Sequence, residues 1–178
     1  MKKMLLTVSS MSVLVLLFTG NLSAQATAGT FPTFATTKTA LQTKVLPKFQ
    51  KDVMELFAVK QFKTTIAYDD FTNDTFSLYE VQKEVIPTIW GLFKSDCTSS
   101  DETDKVKCTA FKKIKSLVIK EDDSLAQAGF KYSEKTGEAI LILSRQIQDA
   151  WESDQPAKRN IEFKFEKFAH DQGSKNKK

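Results

Sequence analysis

Histidine is nearly missing from this chain. His170 is the only one, close to a lysine-rich C-terminal end. A Ser-His-Asp triad or a metal centre needs a buried, oriented imidazole, which such a position seldom gives, so His170 is not taken as catalytic. Cysteine is almost as scarce, with Cys97 and Cys108 alone. Two thiols with no histidine nearby fall short of the four ligands of a structural zinc site. Gly-rich phosphate loops, G-x-S-x-G and H-E-x-x-H do not occur, which removes the usual sequence support for nucleotide, serine-hydrolase and zinc-protease chemistry. No metal and no cofactor are expected.

Long apolar runs are missing beyond the first residues. Lys2 and Lys3, an apolar stretch from Met4 to Phe18, a break at Gly20-Asn21 and the small residues of Ala24-Gln25-Ala26 follow the order of a secretory signal peptide over residues 1–26. The apolar stretch carries Thr7, Ser9, Ser10 and Ser12 and is short of the about 20 apolar residues that span a bilayer. A periplasmic or secreted protein is expected, with no stable membrane insertion after cleavage. Residues 27–172 then make a single α+β domain, and 173–178, "GSKNKK", a disordered basic tail. The formal charge of +4 loses two with Lys2 and Lys3, leaving no excess of the kind that nucleic acid demands.

In an oxidising compartment the two cysteines are expected to pair. They bracket "TSSDETDKVK", in which only Val106 is apolar, so a stapled loop is expected, serving a chain reversal or presenting a recognition surface. Lys105, Lys107, Lys112, Lys113, Lys115 and Lys120 follow the acids of this loop and are read as a solvated face paired with it, the alternative being contact with an acidic ligand or an anionic surface.

What is present is periodicity. After an extended lead-in from Thr27 to Thr37, Leu41, Val45, Phe49, Val53 and Phe57 recur at helical spacing, with Pro47 as a kink. "QFKTTIAY" alternates as a strand. Ser77 and Glu80 form a capping box with Phe76 and Val81 around it, and Leu78, Val81, Val85, Ile89 and Phe93 continue the helix past Pro87. "SLVIK" and the two halves of "AGFKYSEKTGEAILIL" read as strands, the latter a hairpin turning over Ser133 to Gly137. "NIEFKFEKF" alternates Ile161, Phe163 and Phe165 with charged residues and reads as a further strand. Residues 144–154 fit either a long strand or a helix, since Leu143, Ile147 and Trp151 also have helical spacing, and are read as the end of a long strand.

The expected fold is α+β, with N-terminal helices packed on a curved antiparallel β-meander. That element order is similar to the NTF2-like and cystatin-like folds, a likeness that implies a sheet wrapped round a helix and a possible pocket. Asp70, in the acidic "YDDFTNDT", is the candidate general acid or base if the sheet forms such a pocket. The same stretch could hold calcium only weakly, lacking the EF-hand spacing, and is read as a turn; Asn73-Asp74-Thr75 is also a glycosylation sequon. Glu121, Asp122 and Asp123 read as a hairpin loop. Fourteen phenylalanines and two tryptophans are a heavy aromatic load, most of it core, with Trp90 and Trp151 as candidate pocket or interface residues. A non-enzymatic binding protein for a partner protein or a small apolar ligand, of inhibitor or immunity type, is the first functional reading. A cofactor-free enzyme with a carboxylate acid/base is the second, and an envelope structural component the third.

Overall fold

The computed structural model describes residues 32–71, 75–122, 124–125, 127–144 and 156–175. The expected signal peptide, Asn73 of the sequon, Trp151 and residues 145–154 lie outside them. Thr33 starts the first helix, its Oγ1 accepting from the Thr36 N–H at 3.2 Å. α1 (Phe34–Ala40) therefore begins within the expected lead-in. It passes through a π-helical turn (Leu41–Val45) into α2 (Leu46–Phe57). The wide turn is where Pro47 is absorbed. Proline lacks an N–H and its ring collides with the carbonyl four residues back, and here the Leu46 N–H reaches back five residues to the Leu41 carbonyl instead. The extra residue also moves the buried stripe from Val45 to Leu46, after which Phe49, Val53 and Phe57 stay inside.

The second long helix repeats the device. α3 (Thr75–Glu80) runs through a π turn (Val81–Val85) into α4 (Ile86–Thr98), with Ile86 N–H bonded to the Val81 carbonyl just before Pro87. Gln42, Val45 and Pro47 recur as Gln82, Val85 and Pro87 at the same spacing. Ser77 lies inside α3 and not at its N-cap, because the helix is already formed at Thr75.

The stretch between the cysteines is mostly helical. Cys97 sits at the end of α4 and Cys108 in the middle of α5 (Glu102–Phe111), which starts at Asp101, whose carboxylate accepts from the Thr103 N–H at 2.7 Å. The disulfide is formed across a Cα–Cα distance of 4.9 Å. It staples two helices of a hairpin, with only Ser99–Asp101 as the turn; a polar sequence conceals this because α5 buries only Cys108, Ala110 and Phe111.

The sheet has four strands, β1 (Lys63–Ile66), β2 (Ser116–Glu121), β3 (Gly129–Ser133) and β4 (Glu138–Leu143), in the order β1-β2-β4-β3. β1, β2 and β4 are parallel and only β3 is antiparallel to its neighbour. The sheet is thus mixed and not an antiparallel meander. Parallel neighbours need a long crossover, and α3, α4 and α5 are that crossover between β1 and β2. Glu121 and Asp122 end a strand whose successor in the chain lies two places away in the sheet, so their turn, held by Ser124 donating to Asp122, is not a hairpin loop. The β3–β4 hairpin is as read, with Gly137 at φ +72° donating to the Ser133 carbonyl at 2.8 Å. A Cβ there would lie 3.0 Å from the Lys113 carbonyl oxygen.

The largest departure is at the end. Residues Pro156–Lys175 form a helix, α6, in place of the expected strand, and it takes in 173–175 of the expected tail, whose residues 176–178 lie outside the described ones. Ile161, Phe165, Phe168, Ala169 and Gln172 are buried at helical spacing, while Phe163 is 59% exposed. The alternation of Ile161, Phe163 and Phe165 suggests a strand only when Phe168 and Ala169 are left out. α6 packs on α4, α5 and β3. Register puts Thr64, Leu117, Ala139 and Tyr132 on one row of the sheet and Ile66, Ile119, Leu141 and Phe130 on the next. These rows form one core with the helices. Ring contacts run unbroken through it, from Phe57 to Phe93 (5.2 Å), Phe165 (5.6 Å) and Phe130 (4.8 Å), then Phe168 and Tyr132.

Candidate functional site

The described residues singled out in the sequence are spread over several elements. Asp70 is exposed in a short 3-10 turn after β1. Trp90 is half-buried against the core. Cys97 and Cys108 are joined. The lysine run divides, as Lys105 pairs with Glu102 and Lys107 with Asp104 at 3.2 Å, while Lys113 reaches α6. Among the described residues there is no cluster of metal-ligating side chains.

Asp96, at the end of α4, is one of the buried carboxylates among the described residues, 5% exposed. Burial raises its pKa, with Asp104 and Glu166 acting in the same sense and Lys107 opposing. Lys107 Nζ stands 4.0 Å from one oxygen, and the other has no hydrogen-bond partner among the described residues. The charged groups acting on Asp96 come from α5 and α6, which places it at the α4–α5–α6 contact.

A groove does form where α6 passes β3. It has a volume of about 670 Å³. Its floor is Phe130, Tyr132 and Phe168, in tilted ring contact, with the Phe168 centroid 5.4 Å from that of Phe130 and 4.7 Å from that of Tyr132. These rings lie here because β3 alternates, sending Phe130 and Tyr132 to the helical side, and α6 presents Phe168 at the margin of its buried stripe. Lys164, Lys167 and Lys175 form the α6 rim with Asp171 among them, and Glu134 closes the hairpin end. A smaller hollow continues past Glu134 to Lys113 and Lys115.

Polar contacts hold this end rigid. Buried Gln172 accepts from Lys113 at 3.3 Å and donates to Glu134 at 3.3 Å, and Lys175 donates to the same carboxylate. Tyr132 donates to the Lys113 carbonyl at 3.2 Å. The Lys175 ammonium, then the Gln172 amide, keep the Glu134 carboxyl below its ordinary range, while Glu134 raises Lys175. Glu134 is therefore charged throughout the neutral range. It is an anchor for cations in the groove and a poor proton donor.

Five lysines against two carboxylates leave the joined hollows with an excess of positive charge over an aromatic floor. Lys164, Lys167, Phe168 and Lys175 were not foreseen as a set because their stretch reads as a strand and a tail. On a helical wheel they fall on one stripe, which is the signal that finds them. No family model matches the chain, and neither a curated protein nor a solved structure matches it.

Proposed function

We propose that this protein is a binding module without a cofactor, and that the groove between β3 and α6 captures an anionic partner carrying apolar side chains. The observation that carries this reading is the pairing of an aromatic floor with an unbalanced lysine rim at one edge of the sheet. Rings give contact area at little conformational cost, and flanking cations favour acidic partners and speed encounter. The acidic partner is a narrower version of the protein ligand expected from the sequence. The Cys97–Cys108 disulfide and the lack, among the described residues, of a helix long and apolar enough to cross a membrane are compatible with a secreted or periplasmic setting.

Titration calorimetry tests this. A capped peptide of about six alternating Glu and Val residues, long enough to follow a short strand, binds the oxidised protein, and its Lys-Val counterpart does not. Replacing both Lys164 and Lys167 by Glu weakens the acidic peptide about tenfold or more. Equal binding of the two peptides would sink the reading.

A further inference from the structure

β3 is an edge strand. β4 pairs with one side of it, and among the described residues no strand pairs with the other. Such an edge offers a row of free backbone donors and acceptors. What distinguishes this edge is the helix beside it. Phe165 meets Phe130, Phe168 meets Tyr132, and Lys175 meets Glu134, so α6 runs alongside β3 in the same chain direction. The five residues of β3 span about 14 Å from first to last Cα at the usual strand rise. From Lys164 to Lys175 the groove-lining stripe of α6 spans about 17 Å. The groove therefore has the ring-bearing face of β3, with its unpaired edge alongside, as one wall and a lysine-bearing helix as the other, comparable in length.

We infer that the partner binds as an added β-strand, an extended acidic segment hydrogen-bonded to the free edge of β3 with alternate side chains against the lysines of α6. This inference rests on the groove being the binding site. Strand addition takes affinity from main-chain bonds and specificity from what meets alternate side chains, and both components are present here. Charge decides between a second copy and a different chain. Lys131 is exposed at the centre of β3, so two β3 edges paired antiparallel about their centres would set Lys131 against Lys131, which is unfavourable. In a segment whose acids face α6, the residue opposite Lys131 points away from the helix and can be uncharged, which removes this like-charge contact. The occupant is thus an acidic segment of another protein and not this strand's own copy.

The test uses the Glu-Val peptide in two backbone-methylated forms, one N-methylated at every Glu and one at every Val, titrated into the oxidised protein. In an added strand only alternate N–H groups face the neighbour. One form therefore loses affinity about tenfold or more while the other stays close to the parent. If both forms bind like the parent, strand addition is wrong and the groove reading stands. Equal losses in the two forms also overturn strand addition, since the effect then lacks the period of a strand. A parent peptide that does not bind at all overturns both.

Discussion

α6 has two flanks, and the protein closes one and leaves the other open. On the α5 side the helices come so near that a Cβ on Gly173 would lie 2.9 Å from Val106 Cγ1. The remaining hollow there is about 380 Å³ and is bordered by Glu102, Lys107, Glu166 and His170. Charges on that side are largely answered by opposite ones, Lys105 by Glu102 and Lys107 by Asp104. On the β3 side, three rings hold helix and strand apart, and lysines exceed acids. Close approach through a small residue and a covalently tethered neighbour makes a structural contact. Separation by aromatic rings, with charge left over, makes a place for something else.

The two flanks share one foundation. Phe165 is fully buried and touches Phe93, Phe111 and Phe130. Phe165→Ala removes the ring on which both depend, and a loss of about 3 to 5 kcal/mol is expected in urea unfolding. A loss under about 1 kcal/mol would show that α6 is not the element that closes the core. The disulfide separates the flanks. Replacing both Cys97 and Cys108 by Ser should cost about 3 kcal/mol by unfolding of the oxidised proteins and nothing relative to reduced wild type. Peptide affinity at the β3 side should be unchanged by it while the protein remains folded. A parallel loss of affinity would mean that the two flanks are coupled through α6. The smallest effect belongs to Phe163, which touches neither flank's core; Phe163→Ala should change stability by no more than about 0.5 kcal/mol. A core-sized loss would restore the strand alternation of Ile161, Phe163 and Phe165.

How much of this was legible depended on the range of the interactions. The β3–β4 hairpin was, because its turn is local and Gly137 alone suits the positive φ. Both long helices were, from the spacing of Phe49, Val53 and Phe57 and of Val85, Ile89 and Phe93. The disulfide followed from two cysteines in an inferred compartment. Parallel pairing of β1 with β2 was not, since nothing in Thr64 or Leu117 specifies a neighbour so far along the chain. α6 was misread because aromatic residues at every second place can also decorate a helix, and only burial tells Phe163 from Phe165. The groove is the least local feature. Phe130, Glu134, Lys164 and Lys175 become neighbours only once α6 is a helix lying along β3.

The matched π turns give the helical layer a crease. α1 packs on α3, and α2 on α4, so both long helices change pitch at the boundary between the same two tiers. A π turn interrupts the regular ladder, and proline removes a further rung just beyond it. The stacked rings of Phe57, Phe93 and Phe165 all belong to the tier below this boundary or to α6. Both turns keep apolar residues inside, Leu41 in the first and Val81 and Val85 in the second, so the change of pitch is fixed within the core. α6 rests against the second of these turns, so the helix that forms one wall of the groove is seated on the crease as well as on α4 and α5.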